Sequence, residues 1–224
     1  MKIRLLHGIL ITAALFTTVP IVYMIAVTFS PGPGKTAGVN PYVYGKRSLF
    51  KILPVKNNAI VFLGDSLTDG CEWSELFGNP MIINRGINSE TTTGVLEWID
   101  DVSARKPSRI FIMIGGNDIL AGSSRAEIIS NYSMIIDRIK NNSPSTKIFV
   151  QGNLPCAVME LNRTVLELRT ELKKMSVGKG VEFIDLYDRF TDKDGLLDRN
   201  LTYDGIHLNG KGYLVWKKAL SGYF

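Results

Sequence analysis

The chain has 224 residues, enough for one sizeable hydrophobic core. Its hydrophobic content of 45% and charged content of 21% are those of an ordinary globular protein. The net charge of +5 comes from basic residues that occur singly or in pairs, which excludes the long basic run typical of a nucleic-acid-binding face. We therefore expect no nucleic-acid partner.

The amino-terminal region carries Lys2 and Arg4, followed by a long uncharged segment at residues 8–29. A helix of that length would span roughly 33 Å, enough to cross the hydrocarbon core of a bilayer. Because positively charged amino-terminal regions usually stay in the cytoplasm, we predict a signal anchor with a transmembrane helix in residues 1–30 and an extracytoplasmic body. The alternative is a signal peptide that is cleaved before secretion, although no clean small-x-small site precedes Ser30.

Residues 31–54 are rich in proline, glycine and lysine, a composition typical of loops. We interpret this segment as a linker and lead-in, and we place the folded domain at residues 55–224. Apolar stretches at helical spacing alternate there with five short apolar runs of strand length, residues 59–63, 81–83, 110–114, 147–150 and 181–184. This alternation predicts parallel βαβ units in a three-layer α/β domain.

Three polar or small residues follow predicted strands directly. Ser66 lies in GDSLTDG after the first strand, Gly86 ends the second, and Asn117 follows the third. Since open α/β sheets bind ligands at the carboxyl ends of their strands, we expect all three residues at one edge of the sheet. Taken alone, each also has a plainer interpretation as a helix cap or turn residue.

His207 is the one histidine in the predicted domain, so no other imidazole there could activate Ser66. Asp204 precedes it by three residues. In a turn, this spacing lets the carboxylate reach one ring nitrogen while the other faces the serine. The competing interpretation is a solvent-facing loop in which Asp204 is an ordinary turn residue.

The two cysteines, Cys71 and Cys156, form no metal-ligand spacing with the two histidines. We therefore expect no metal and no cofactor. Both cysteines follow predicted strand ends, and an exported protein would permit a disulfide between them. The sequence leaves open whether they pair or remain two free thiols.

Four sequence blocks together resemble the SGNH subgroup of the GDSL hydrolases. They are GDSLTDG with Ser66, NRGIN with Gly86, GGND with Asn117, and DGIHLN with Asp204 and His207, and they occur in family order. The resemblance implies a flavodoxin-like five-stranded parallel sheet of order 2-1-3-4-5. The stretch NRGINSETT is similar to small single-domain members related to platelet-activating-factor acetylhydrolase and carbohydrate acetylesterases, which usually carry a more glycine-rich version.

The resemblance also implies the roles of the site residues. Ser66 would attack an ester carbonyl, His207 would carry its proton, and Asp204 would orient the imidazole. The backbone N–H groups of Ser66 and Gly86 and the amide of Asn117 would form the oxyanion hole. We assign no chemical step to the nearby carboxylates Asp65 and Asp118. We expect them to stabilise the turns by accepting hydrogen bonds from backbone N–H groups.

The expected function is hydrolysis of short, acetyl-like esters on a small-molecule, glycan or lipid substrate of the cell envelope. A lysophospholipase, a thioesterase or an acyltransferase could use the same residues. A non-catalytic binding module is disfavoured, because a degenerate site should lack Ser66, His207 or Asn117, and all three are present.

The predicted anchor can be tested by fractionation. The full-length protein should stay in the membrane fraction after a carbonate wash, because such an extraction removes only proteins held by surface contacts. A reporter at the carboxyl terminus should be active on the non-cytoplasmic side. Recovery of a soluble mature protein that begins near Ser30 would show instead that the segment is a cleaved signal peptide.

Overall fold

Five short strands form the centre of the computed structural model, which describes residues 40–54 and 56–224. All neighbouring strands are parallel, in the order β2-β1-β3-β4-β5. This arrangement confirms the α/β class and the sheet order that the family resemblance implied. The strands are β1 (Ile60–Gly64), β2 (Ile82–Gly86), β3 (Arg109–Met113), β4 (Lys147–Gln151) and β5 (Glu182–Ile184).

Helices connect the strands and cover both faces of the sheet. Alternate residues of β1 point to opposite faces: Val61 and Leu63 pack in one hydrophobic cluster, Ile60 and Phe62 in another. The sheet is therefore the middle of three layers. The helices are α1 (Pro41–Ile52), α2 (Ser66–Asp69), α3 (Trp73–Phe77), α4 (Thr92–Leu96), α5 (Ile99–Ser103), α6 (Gly116–Leu120), α7 (Arg125–Asn142), α8 (Met159–Lys179) and α9 (Gly210–Leu220).

Helix α1 lies within the segment that the composition suggested as a linker and lead-in. Val43 and Phe50 are buried in the first cluster, and the Arg105 guanidinium caps the end of the helix by donating to the carbonyl of Phe50 at 3.0 Å. The compact unit extends back to Tyr42, ahead of the predicted domain start at residue 55. The sequence signal was weak because two buried apolar residues, seven positions apart, make too short a stripe to mark a helix.

The predicted membrane segment, residues 8–29, lies outside the described residues. Among residues 40–54 and 56–224, no helix combines the length and the apolar character that a membrane span requires. The anchor therefore stays a prediction from the sequence.

The carboxyl ends of β1, β2 and β3 lie side by side. Gly64 is in register with both Gly86 and Met113, so the loops that leave these strands begin at the same edge. A side chain on Gly64 would place its Cβ 2.3 Å from the carbonyl oxygen of Met113 and from Thr68 Oγ1. The glycine is therefore required for α2 to turn back closely over the end of the sheet.

The two cysteines are free thiols. Cys71 is buried in the second hydrophobic cluster and Cys156 is half-buried. Of the two possibilities that the sequence left open, the structure therefore shows the unpaired one.

Candidate active site

Ser66 is the first residue of α2 and follows β1 after a single connecting residue, Asp65. The Asp65 side chain caps the helix by accepting the N–H of Leu67 at 3.1 Å. The backbone N–H of Ser66 itself has no acceptor among the described residues, as expected in the first turn of a helix. The serine hydroxyl is thus held at the sheet edge with an unpaired backbone donor beside it.

The loop before α9 brings the imidazole to this serine. One oxygen of Asp204 accepts the backbone N–H groups of Ile206 and His207 at 2.9 and 2.7 Å, and the Thr202 hydroxyl donates to the His207 carbonyl at 2.6 Å. Gly205 adopts a left-handed φ of 90°, which closes the turn. The loop is therefore ordered by its own hydrogen bonds.

Asp204, His207 and Ser66 form one continuous chain of polar contacts. Asp204 Oδ2 lies 2.7 Å from His207 Nδ1, and His207 Nε2 lies 3.0 Å from Ser66 Oγ. Both distances suit a base that is oriented by a carboxylate and contacts a hydroxyl nucleophile. The structure thus brings together the three residues that the sequence suggested as catalytic.

The carboxyl of Asp204 stays ionised throughout the physiological range. Partial burial raises its pKa, but hydrogen bonds from the His207 ring and from the backbone N–H groups of His207 and Ile206 outweigh this and hold the pKa at about 2. A permanent carboxylate beside Nδ1 favours the tautomer in which Nε2 faces the serine as a proton acceptor.

Asn117 lies in the first turn of α6, after a left-handed turn at Gly115 with a φ of 110°. Its side-chain amide donates one hydrogen to the carbonyl of Glu90 at 2.9 Å. A primary amide carries two hydrogens, so the second remains available to a ligand next to Ser66, with which Asn117 lines a common cavity.

The structure does not bring the backbone N–H of Gly86 to this site. That N–H donates to Asn84 Oδ1 at 2.7 Å. A Cβ at Gly86 would lie 2.1 Å from the backbone nitrogen of Asp69. The glycine therefore allows the close packing of β2 against α2. The sequence suggested Gly86 as an oxyanion donor because the motif NRGIN does not reveal that Asn84 already accepts the N–H of Gly86.

The backbone N–H of Ser89 is a further candidate donor, which the sequence argument did not consider. Ser89 lies in the turn of residues 87–91, here called the oxyanion turn, and adopts a left-handed φ of 65°. Its N–H has no acceptor in the part of the chain that the structure describes. A non-glycine residue in this conformation is uncommon. The departure from a glycine-rich pattern at Asn88, Ser89 and Glu90 was the available sequence signal.

Two buried carboxylates support the loops around Ser66. Asp65 accepts the Leu67 N–H, and Asp118 accepts the backbone N–H of Thr92 at 3.0 Å. These hydrogen bonds confirm the bracing role that the sequence predicted for both residues. Thr92 begins α4, so Asp118 also connects α6 to the helix that follows the oxyanion turn.

An apolar cavity of about 80 Å³ opens beside Ser66 and Asn117. This is far below the roughly 300 Å³ at which pockets for drug-sized ligands begin, so the cavity suits a small group. Trp73 belongs to the second hydrophobic cluster and does not reach the cavity. The apolar lining comprises Leu67, Ile119, Leu120, Leu154, Pro155, Leu161, Val165 and Ile206.

The family model for the GDSL-like lipase/acylhydrolase family matches residues 62–215, which leaves helix α1 outside the match. Curated relatives are N-acylneuraminate cytidylyltransferases. The enzyme of Streptococcus agalactiae serotype V is 25% identical over a stretch that covers 52% of this chain and 28% of the enzyme. The enzyme of Escherichia coli O18:K1:H7 is 28% identical over 50% of this chain and 27% of the enzyme. The chain spans about a quarter of the length of these relatives.

Solved structures share the fold over most of the chain. A Streptococcus pneumoniae protein provisionally named a platelet activating factor is 29% identical over 81% of this chain and 90% of its own, with a TM-score of 0.71. A GDSL-like lipase from Bacteroides thetaiotaomicron is 20% identical over 81% of this chain and 96% of its own, with a TM-score of 0.72. A catalytic mutant of an acetylxylan esterase from Geobacillus stearothermophilus is 18% identical over 75% of this chain and 94% of its own, with a TM-score of 0.63.

Asp65 should make folding stability depend on pH. Burial raises the pKa of its carboxyl from 3.8 to about 6, so the folded protein holds the proton more tightly than the unfolded chain. The contribution of this group is therefore most favourable below about pH 4 and is lost as the pH rises through 6. Two pKa units correspond to about 3 kcal/mol.

Asp65→Asn keeps an acceptor for the Leu67 N–H but removes the titration. Relative to wild type, its free energy of unfolding in urea should therefore increase by up to about 3 kcal/mol between pH 4 and pH 7. Asp192→Asn is a matched control, because Asp192 likewise accepts backbone N–H groups but lies in a more exposed turn. Equal pH profiles for Asp65→Asn and wild type would contradict the prediction.

Proposed function

We propose, because the chain belongs to the GDSL-like lipase/acylhydrolase family, that it is a serine ester hydrolase and cleaves short acyl esters through an acyl-enzyme formed at Ser66. The observation that carries the proposal is the contact chain from Asp204 through His207 to Ser66, at 2.7 and 3.0 Å. A helix-capping serine would need no imidazole, and a solvent-facing histidine would need no carboxylate on its far nitrogen.

In the first step Ser66 Oγ attacks the ester carbonyl carbon while His207 Nε2 takes the hydroxyl proton. The tetrahedral intermediate collapses when the carbon–oxygen bond to the alcohol breaks, and the imidazolium returns the proton to the leaving alcohol. Water then attacks the acyl-enzyme with the same base, which releases the carboxylic acid and restores Ser66. Asp204 keeps its negative charge and stabilises the imidazolium in both steps.

The developing oxyanion requires donors that are already in place. The backbone N–H of Ser66 and the second amide hydrogen of Asn117 are two such donors, since neither is used within the described chain. We assign the third to the N–H of Ser89 instead of Gly86, because the N–H of Gly86 is already donated to Asn84. Ser89 lies between Asn88 and Glu90, whose N–H groups are both donated within the described chain, whereas its own N–H is not.

The apolar cavity supports a short acyl group. Each buried CH₂ contributes roughly 0.8 kcal/mol, but only as far as the cavity extends. With about 80 Å³ beside Ser66, acetyl to butyryl chains can be buried, while longer chains would leave their ends in water. Beside the imidazole, the rings of His207 and Tyr203 lie nearly parallel with their centroids 5.9 Å apart, and Tyr203 is 71% exposed.

The exposed Tyr203 beside His207 supports a carbohydrate alcohol as the leaving group, since an exposed aromatic ring can cover the apolar face of a sugar. The acetylxylan esterase that shares the fold is named for such a substrate. We propose an acetylated glycan of the cell envelope as the substrate class, in line with the predicted anchor.

The nucleophile is tested with Ser66→Ala. This variant should lose on the order of 10⁶ in kcat on a chromogenic acetyl ester, the cost of removing a triad serine in other hydrolases. A fluorophosphonate should label wild type at Ser66 and leave Ser66→Ala unlabelled. Ser145→Ala, a change at an exposed serine outside the site, should keep full activity; near-normal turnover by Ser66→Ala would refute the mechanism.

The acyl preference is tested with a series from acetyl to octanoyl esters below their micelle concentrations. Wild type should show its highest kcat/KM for acetyl to butyryl. Leu161→Ala should shift the maximum toward longer chains, because Leu161 lines the cavity, whereas Leu166→Ala on the exposed side of α8 should not. A wild-type preference for octanoyl would point to a lysophospholipase or thioesterase.

A further inference from the structure

Glu90 is a buried carboxylate in the oxyanion turn. Its side chain is 3% exposed and accepts hydrogen bonds from Arg47 Nε and Nη2 at 3.0 to 3.2 Å and from Trp98 Nε1 at 3.1 Å. Its main chain donates to the Ile87 carbonyl at 3.1 Å and accepts the Asn117 amide at 2.9 Å. Glu90 therefore connects two features: its side chain pairs with Arg47, and its main-chain carbonyl holds the amide of Asn117.

The ion pair is closely fitted. Arg47, on helix α1, also donates to the carbonyl of Gly94 at 3.0 Å and pairs with Glu97. A Cβ at Gly94 would lie 2.0 Å from Glu90 Oε1 and 2.7 Å from Arg47 Nη2, so the glycine leaves space for the pair. A charge pair of this geometry has little freedom to shift, because its bidentate hydrogen bonds fix both partners.

The same helix also holds the end of the short helix that carries the nucleophile. Lys46 Nζ lies 2.5 Å from Asp69 Oδ1, and the Tyr42 hydroxyl donates to Asp69 Oδ2 at 2.6 Å. Asp69 Oδ2 in turn accepts the backbone N–H of Asn88 at 3.0 Å. Helix α1 thus contacts α2 through Asp69 and the oxyanion turn through Glu90.

We propose that Arg47, acting through Glu90, is a positioning residue for the oxyanion hole of this ester hydrolase. The inference rests on the proposed function. Oxyanion donors lower the barrier only if they already point to the place where charge develops, and a misplacement of about 1 Å can cost 100-fold in rate. Arg47 fixes the side chain of Glu90, and the main chain of Glu90 then fixes Asn117 and the neighbouring Ser89 N–H.

A purely structural role would give a different result. If Arg47 only fastened α1 to the domain, its loss would lower stability but leave turnover by the folded fraction unchanged. Arg169 provides a matched control: its side chain is 21% exposed against 15% for Arg47, and it pairs with Asp185 and Asp188 at 2.7 and 2.9 Å, outside the site.

The test compares Arg47→Met with Arg169→Met in the full-length protein, at a temperature where both are folded by circular dichroism. Arg47→Met should lower kcat on an acetyl ester 30- to 100-fold with KM changed less than threefold, because the lost contacts act in the transition state. Arg169→Met should change kcat less than twofold. Arg47→Lys should recover part of the loss, since it restores the charge without the bidentate geometry. Equal kcat values for the two methionine variants would overturn the proposal.

A double-mutant cycle shows whether Arg47 acts through the oxyanion donors. Asn117→Ala alone should lower kcat roughly 10²- to 10³-fold. In that background Arg47→Met should cost clearly less than the 30- to 100-fold that it costs in wild type, because one of the two donors that it positions is gone. Full additivity of the two losses would overturn the route through Asn117.

Two further variants keep the outcome decisive. If Arg47→Met does not fold, Trp98→Phe removes a different hydrogen bond to Glu90 and should still lower kcat several-fold with little change in KM; an unchanged kcat would overturn the proposal.

Ser66→Ala in the same assay distinguishes failure of the proposed function from failure of the inference about Arg47. If Ser66→Ala retains activity, the proposed function and the inference both fall; if it is inactive while Arg47→Met behaves like Arg169→Met, only the inference falls.

Discussion

The close approach of helix α2 to the ends of β1 and β2 is the constraint on which the site depends. Gly64 and Gly86 are partners in the strand register, and a Cβ on either would come within 2.1 to 2.3 Å of atoms in residues 68 and 69. Without side chains at these two positions, the helix lies directly over the sheet edge. Ser66 is therefore presented at a fixed place by backbone packing, before any of its polar contacts form.

The polar network around Ser66 divides into a solvent-facing half and a buried half. Asp204 and His207 are partly exposed and are ordered by hydrogen bonds within their own loop. Asp65, Asp118 and Glu90 are buried, and each is satisfied by backbone or arginine donors. This division fits the proposed mechanism, in which the imidazole needs access to substrate and water, while oxyanion donors need a rigid support from which water is excluded.

Helix α1, which lies outside the family match, contacts two carboxylates near the site. Helix α1 contributes an arginine, a lysine and a tyrosine to contacts with Glu90 and Asp69. Since a buried ion pair loses much of its attraction to desolvation, the Arg47–Glu90 pair is better explained by the geometry it imposes than by added stability. The site is thus held from the sheet on one side and from α1 on the other.

The sequence alone determined those features that depend on neighbours along the chain. Apolar runs without alternation indicated strands buried on both faces, and their ends located Ser66 and Asn117, because the carboxyl ends of parallel strands share one edge. The three-residue spacing of Asp204 and His207 placed their contact within a single turn.

Tertiary structure alone decided the contacts between distant segments: the 3.0 Å approach of His207 to a serine 141 positions away, the link of Arg47 to Glu90, and the unpaired state of the cysteines. It also decided that the N–H of Gly86 is already donated, because that hydrogen bond depends on the folded path of the chain and on the side chain of Asn84, which no local pattern records.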